Sequence, residues 1–270
     1  MNSSPPVALT IAGFDTSCGA GLQADLLTFH HHGLHPLTAA TTLVAETPLQ
    51  VVELAPVSTA FLQQQVALLL ETYAVQVVKI GLLANADQAA ALATLLAPLR
   101  VPIVLDPVGI ASTGDSLQSP ETAKALLTHL APLSLLMTPN LPEARQLAGR
   151  DDLAPADLAL HLAETTGQAM LLTGGHHRAQ GEVTDLLAFE GQIHRFVSPE
   201  IETEASLHGT GCVLSSAIAA QLALGSSLLE AVERGRHYLR QALAHHHEFP
   251  HPSRPLLALR HSPSEATTND

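Results

Sequence analysis

The sequence predicts a single α/β domain, covering residues 1–270, in which a largely parallel sheet is covered by helices on both faces. Short apolar runs that favour strands alternate with helical stretches along almost the whole chain, an order typical of strand–helix–strand units. Of the 270 residues, 46% are hydrophobic, which is enough apolar material for one core of this size. No internal repeat or convincing linker divides the chain.

Local signals at the ends of the segments support this order. Gly33 marks the end of the first helix, Pro120 suits the first turn of the fourth, and Glu190-Gly191 suits a hairpin turn. The predicted strands are 7–12, 37–45, 51–54, 75–80, 101–105, 133–138, 169–173, 183–189 and 192–197. The predicted helices are about 22–32, 58–73, 86–99, 120–130, 141–148, 154–166, 210–224 and 227–246. About 1–6 and 248–270 are expected to be poorly ordered.

The charge balance excludes several classes of partner. The formal net charge is −13, with 25 acidic against 12 basic residues, which disfavours nucleic acid and anionic membranes because both require a cationic surface. The apolar stretches are too short for a membrane span, and the chain start lacks the pattern of a signal peptide. Since Cys18 and Cys212 are the only cysteines, a reducing, cytoplasmic location is expected.

Two runs of histidine, at 30–32 and 245–247, raise the question of a metal site. Three adjacent side chains on a helix point in different directions, and no spaced set of further ligands accompanies them. We interpret both runs as solvated helix ends.

The strongest local signal for chemistry is His208-Gly209-Thr210-Gly211-Cys212 at the start of an apolar helix. Glycines let backbone N–H groups converge, and a helix start adds positive potential, so this segment suits a phosphate or a developing phosphoryl charge. Cys212 lies in the first turn, where the same field lowers a thiol pKa. A glycine-rich turn beside a buried core cysteine remains the alternative.

A second glycine-rich loop, residues 13–21, follows the first strand. Its G-x₅-G-x-G spacing differs from the dinucleotide-binding pattern, and the P-loop sequence G-x₄-G-K-[ST] does not occur in the chain. The chain contains only two lysines, Lys79 and Lys124. A phosphate site must therefore depend on backbone amides, helix starts, a metal ion or arginine.

Six sequence blocks, in order, resemble the phosphomethylpyrimidine kinases of thiamin biosynthesis. They begin with Ala8-Leu9-Thr10-Ile11-Ala12-Gly13 joined to Gly19-Ala20-Gly21-Leu22-Gln23-Ala24-Asp25-Leu26. The others are Lys79-Ile80-Gly81-Leu82-Leu83, Leu105-Asp106-Pro107-Val108, Thr138-Pro139-Asn140-Leu141-Pro142-Glu143-Ala144, Gly174-Gly175-His176 and the segment ending at Cys212. The resemblance covers roughly residues 7 to 245.

This resemblance implies a ribokinase-like fold and transfer of the ATP γ-phosphoryl group to hydroxymethylpyrimidine or its monophosphate. By this resemblance, Cys212 stands at the position of the family's catalytic base, and Gly209, Thr210 and Gly211 would form the anion hole. The expected pyrimidine contacts are Gly13, Asp25, Glu46, Leu82 and Val108. The expected nucleotide contacts are Asn140, Thr173 and His208, and Asn140 with Glu143 would organise Mg²⁺. Asp25 could instead be an ordinary helix residue, and Asn140 a helix cap. A homodimer is expected.

Three departures from the family pattern affect these expectations. Thr173 stands where most members have a lysine that holds ATP phosphates, and Glu204-Ala205-Ser206-Leu207 replaces Thr-Lys-Asn-Thr. Arg178 could reach the phosphates instead. Glu46 occupies the position of a pyrimidine-contacting Gln. If Glu46 is ionised, it would favour a protonated pyrimidine ring, and if its carboxyl group is protonated, it would imitate Gln. If the side chain instead turns into solvent, Glu46 would not belong to the site.

Two other functions remain open on the sequence alone. A kinase of the same fold acting on pyridoxal would use a similar pocket for a planar ring with a hydroxymethyl arm. The missing lysines also allow a non-catalytic pyrimidine-binding regulatory protein.

Overall fold

The computed structural model describes residues 4–111, 114–174, 178–179, 181–201 and 208–261. In this part of the chain the strands are β1 (Val7–Asp15), β2 (His35–Thr47), β3 (Gln50–Pro56), β4 (Val75–Ile80), β5 (Ile103–Leu105), β6 (Leu136–Met137), β7 (Ala169–Leu172), β8 (Arg178–Ala179), β9 (Glu182–Phe189), β10 (Gln192–Pro199), β11 (His247–Phe249) and β12 (Leu256–Ala258). The helices are α1 (Gly21–His31), α2 (Thr59–Thr72), α3 (Ala86–Leu96), α4 (Pro120–Ala125), α5 (Leu141–Ala148), α6 (Pro155–Thr166), α7 (Thr210–Ala223) and α8 (Leu228–Ala244). None of the helices in these ranges is both long enough and apolar enough to span a membrane.

The central sheet has the order β10-β9-β7-β6-β5-β4-β1-β2-β3, with β8 paired to β9. Strands β2, β1, β4, β5, β6 and β7 pair in parallel. At one edge β3 pairs antiparallel with β2, and at the other edge β9 pairs antiparallel with β7, β8 and β10. The predicted α/β class with a mostly parallel sheet is therefore confirmed.

Apolar side chains cover both faces of this sheet, because successive residues of a strand point in opposite directions. Leu9 and Val78 pack on one face with α2, α3 and α6. Their neighbours Ala8 and Val77 pack on the other face with α1, α7 and α8. Two buried faces explain why these strands are almost continuously apolar.

Two predicted segments differ from the structure in more than a few terminal residues. The predicted helix 120–130 ends at Ala125, and a π-helical turn (Leu126–Leu130) and a 3₁₀ turn (Ala131–Leu133) follow. Within the predicted strand 133–138, only Leu136 and Met137 pair in the sheet.

The expectation of a poorly ordered C-terminal segment is wrong for residues 248–261. Strands β11 and β12 form an antiparallel hairpin, and Leu257 and Leu259 are buried against Ala24, Cys212 and Tyr238. Residues 1–3 and 262–270 lie outside the described part of the chain. The apolar pattern Leu256-Leu257-Ala258-Leu259 was the signal that the sequence offered for this docking.

Candidate active site

A cavity of about 620 Å³ opens where the parallel strands end. The carboxyl ends of β1, β4, β5, β6 and β7 meet along one edge of the sheet, the usual ligand-binding edge of α/β folds. The predicted site residues that line it are Gly13, Glu46, Leu82, Val108, Asn140, Glu143, Thr173, His208, Gly209, Thr210, Gly211 and Cys212. Among the predicted residues, Asp25 is not part of this lining.

The two glycine-rich loops pack directly against each other at one wall of the cavity. Gly209 has φ +80°, and a Cβ atom there would lie 1.8 Å from the backbone oxygen of Gly19. Gly21 has φ +56°, and a Cβ atom there would lie 2.3 Å from the oxygen of Gly13. Only glycine combines this conformation with so close an approach of two backbones. The start of α7 is thereby held beside the loop that follows β1.

Asp15, the last residue of β1, organises the first loop. One of its carboxylate oxygens accepts hydrogen bonds from the backbone N–H groups of Gly19 (3.0 Å) and Ala20 (2.7 Å) and from Nε2–H of His208 (2.9 Å). Burial opposes ionisation, but the hydrogen bonds from His208 and Ser17 lower the pKa of Asp15 to about 2. An ionised Asp15 therefore joins the two loops.

Glu46 lies beside this pair, near the end of β2. The Oγ1 atom of Thr16 accepts from the backbone N–H of Glu46 (3.0 Å) and donates to its carbonyl (2.8 Å), which fixes the main chain. Burial, reinforced by the charge of Asp15, raises the pKa of the Glu46 carboxyl from 4.5 to about 7. Glu46 thus belongs to the cavity, where its carboxyl group holds a proton more readily than it would in water.

The side chains of Asp15, Glu46 and His208 could also be considered as metal ligands. One potential ligand atom from each lies within 4.8 Å of the others. The oxygens of Asp15 already accept several N–H and O–H groups, however, so its ligand capacity is largely used. We interpret Asp15 and His208 as a hydrogen-bonded pair with the Glu46 carboxyl group close beside it.

Asn140 and Glu143 form a capping box at the start of α5. The Asn140 side chain accepts from the Glu143 backbone N–H, and the Glu143 carboxylate accepts from that of Asn140, both at 2.9 Å. The helix-cap alternative for Asn140 is thus observed. Both residues also line the cavity. Burial and the charge of Asp106 raise the pKa of Glu143 to about 7, and an oxygen-binding cation would relieve that unfavourable charge. The residues therefore fit Mg²⁺ held partly through water.

A second cavity of about 140 Å³ adjoins the first. Thr173, Thr210 and Gly211 line both. Its far side includes Arg236, which is paired with Asp185. The two cavities therefore meet at the start of α7.

Residues 15–256 match the sequence model of the phosphomethylpyrimidine kinase family. The chain belongs to this family. It is similar to a hydroxymethylpyrimidine/phosphomethylpyrimidine kinase of Synechococcus elongatus, with 37% identity over 89% of this chain and 92% of that protein. It is also similar to a pyridoxine kinase of Bacillus subtilis, with 33% identity over 87% and 89%. The crystal structure of an ADP complex of Bacillus subtilis pyridoxal kinase matches 96% of this chain and 98% of that one, with a TM-score of 0.85 and 32% identity.

These matches confirm the predicted family of phosphotransferases and the predicted ribokinase-like fold. The observed geometry corrects two residue assignments that rested on family resemblance or on sequence position. Both corrections concern buried side chains.

Asp25 does not contact the cavity, so the expected contact with a pyrimidine ring does not hold in this structure. Its side chain is fully buried and accepts from Lys79 Nζ (2.9 Å), Thr10 Oγ1 (2.6 Å) and Ser216 Oγ (2.6 Å). Burial alone lowers the pKa of the Lys79 ammonium, but the nearby Asp25 carboxylate raises it above its ordinary value. Asp25 therefore keeps Lys79 charged under the site and fastens α1 and α7 to β1 and β4.

The expectation that the helix start lowers the thiol pKa of Cys212 is also wrong. The side chain is almost fully buried, and burial raises the pKa to about 12 despite the opposing charge of Lys79. The field of a helix start is worth about 0.3–2 kcal/mol, whereas a change from 9.0 to about 12 corresponds to about 4 kcal/mol. Cys212 is consequently a neutral thiol at the cavity wall.

Three further residues line the cavity although no role was predicted for them from the sequence, namely Asp15, Asp106 and Arg254. Asp106 accepts from Thr138 Oγ1 (3.1 Å) and Ser215 Oγ (3.0 Å), lies 3.9 Å from Lys79 Nζ, and has a pKa raised by burial. Asp15 and Asp106 end or follow parallel strands, and that position was an available signal. The side chain of Arg178 and the segment 202–207 lie outside the described part of the chain.

Proposed function

We propose that the protein transfers the γ-phosphoryl group of ATP to the hydroxymethyl arm of hydroxymethylpyrimidine and to the phosphate of its monoester. The observation that carries this proposal is one cavity that places a ring pocket next to a glycine-rich helix start. Gly209 and Gly211 flank backbone N–H groups at the start of α7, and this start lines both cavities. Donors placed where charge develops are the main catalytic device of phosphoryl transfer.

The pyrimidine ring fits the end of the cavity bounded by Gly13, Glu46, Leu82 and Val108. Gly13 is closely packed, because a Cβ atom there would lie 3.2 Å from Leu82 Cδ2; a side chain would therefore narrow the ring pocket. Glu46 is the polar group that can pair with an exocyclic amine and a ring nitrogen. The apolar walls would thus select the shape of the ring, and the Glu46 carboxyl group would fix its orientation.

The nucleotide would occupy the second cavity and its junction with the first. Its adenosine part would occupy the space between β9, β10 and α8, and its phosphates would pass Thr173 and Thr210 toward the start of α7. Use of ATP is supported by the ADP complex of the similar Bacillus subtilis structure. Asn140 and Glu143 would hold Mg²⁺, which supplies charge neutralisation at the phosphate oxygens.

Cys212 adjoins the place where the reacting hydroxyl group would lie, and we assign it the role of proton acceptor. In the free protein the thiol is neutral, with a pKa of about 12. The positive charge of Mg²⁺ bound with ATP would have to lower this value before the sulfur could accept a proton. Lys79 already acts in that direction from beneath the cavity floor.

A vitamin B₆ alcohol is a second candidate substrate, and the similarity to pyridoxine and pyridoxal kinases favours it. Steady-state phosphorylation of hydroxymethylpyrimidine, its monophosphate and pyridoxal by one preparation tests the proposal through the ratio of kcat/KM values. We expect both pyrimidines to exceed pyridoxal. Stabilisation of the fold by these ligands without any phosphorylated product would instead indicate a binding protein.

A further inference from the structure

The cavity contains several carboxyl groups but little positive charge that is free to meet a phosphate. Among the residues that the structure describes, four acidic side chains line it, namely Asp15, Glu46, Asp106 and Glu143. Lys79 is fully buried and hydrogen-bonded to Asp25, and the ring of His208 is hydrogen-bonded to Asp15. ATP, and in the second phosphorylation also the pyrimidine monophosphate, would bring phosphate anions into this acidic surrounding, where a further cation beside Mg²⁺ would stabilise them.

Arg254 is the remaining cation of the described cavity lining. It lies in the turn between β11 and β12, is exposed to solvent, and has no hydrogen bond or ion pair with any residue of the described ranges. The hairpin that carries it is anchored by buried Leu257 and Leu259, and by the backbone N–H of Arg260, which donates to Ala242. A docked hairpin thus presents an uncommitted guanidinium group to the cavity.

We propose that Arg254 is a phosphate-binding residue of this site, brought to the cavity by the C-terminal hairpin. A guanidinium group can bind two phosphate oxygens at once. Such a group would supply positive charge that Thr173, which stands in place of the family's lysine, does not provide. The inference rests on the proposed function for the identity of the phosphate, which belongs either to the nucleotide or to the phosphorylated pyrimidine. In both cases the ligand is a phosphate group within the joined cavities.

Calorimetric titration of the full chain tests this assignment without requiring turnover. The ligands are ADP, the non-hydrolysable ATP analogue AMP-PCP, hydroxymethylpyrimidine and its phosphate ester. The variants are Arg254→Gln and Arg254→Lys, with Arg260→Gln as a matched control, because Arg260 belongs to the same segment but does not line the cavity. Urea unfolding of each variant establishes that the hairpin change leaves the fold intact.

We expect Arg254→Gln to weaken binding of at least one phosphorylated ligand by about tenfold to a hundredfold, the usual effect of losing a charged hydrogen bond. Arg254→Lys should lose less affinity for the phosphorylated ligands than Arg254→Gln. Both variants should bind hydroxymethylpyrimidine with the affinity of wild type. Weaker ADP and AMP-PCP binding would assign Arg254 to the nucleotide, and weaker binding of the phosphate ester alone would assign it to the substrate. Dissociation constants for all phosphorylated ligands within twofold of wild type would overturn the proposal. Because binding is measured directly, this result is independent of whether the phosphorylation assay succeeds.

Discussion

Replacing Glu46 with Gln removes the ionisable group at the ring end of the cavity while preserving its size. The carboxyl pKa rises from 4.5 in the unfolded chain to about 7 in the folded protein, because of burial and the charge of Asp15. The folded state therefore binds this proton more tightly. The contribution of this tighter proton binding to the stability of the fold is fully present below about pH 4.5. It is lost as the pH rises through about 7.

The size of this contribution follows from the two pKa values. Their difference corresponds to about 3 kcal/mol, and partial solvent exposure of the side chain reduces it to roughly 1–2 kcal/mol. Glu46→Gln should thus be more stable than wild type by roughly this amount above pH 7 and nearly equal to it below pH 5. Urea unfolding between pH 5 and pH 8.5 measures the effect. Glu53→Gln, the same change at an exposed position of β3, is the matched control.

Pyrimidine binding should show the same titration. The complex keeps one proton between the carboxyl group and the ring, whether Glu46 is protonated beside a neutral ring or ionised beside a cationic one. Above about pH 7 wild type must take up that proton, so its Kd should increase by up to about tenfold per pH unit. Glu46→Gln should bind with a flat profile in this range. If wild type and Glu46→Gln showed the same dependence of Kd on pH, Glu46 would not take part in binding the ring.

Three further substitutions separate the roles of the other cavity residues. Cys212→Ala and Cys212→Ser should both lower kcat by about 10²–10⁴ with little change in ATP affinity, and near-normal turnover by the Ser variant would show that the sulfur only positions the substrate. Glu143→Gln should raise the Mg²⁺ concentration needed for half-maximal activity and reduce kcat, and an unchanged Mg²⁺ titration would place the metal elsewhere. Asp25→Asn should destabilise the fold by about 3–5 kcal/mol in urea unfolding, because it leaves Lys79 charged and buried. Asp152→Asn, at an exposed ion pair with Arg150, is its control and should remain close to wild type.

Local pattern predicted the sheet and both glycine-rich loops, whereas most of the cavity lining was expected from the resemblance to the family. Strand periodicity identifies a buried sheet, and glycines identify places where backbones meet, as Gly209 and Gly21 do. Asp25 was assigned to the ring because sequence position alone does not reveal its partner Lys79, which lies 54 residues away. The Cys212 thiol pKa was assigned the wrong direction because desolvation depends on packing by other segments, among them the C-terminal hairpin.

The protonation behaviour of the cavity follows from the different tasks of its two ends. Glu46 and Glu143 both have pKa values of about 7, but their proposed ligands differ in charge. A pyrimidine that shares a proton with Glu46 favours uptake of a proton, whereas a cation near Glu143 favours release of one. Ionised carboxylates at both ends of an empty cavity would repel each other and the incoming phosphates. Carboxyl groups poised near neutrality avoid that repulsion in the free protein, and each can adopt the charge that its own ligand requires.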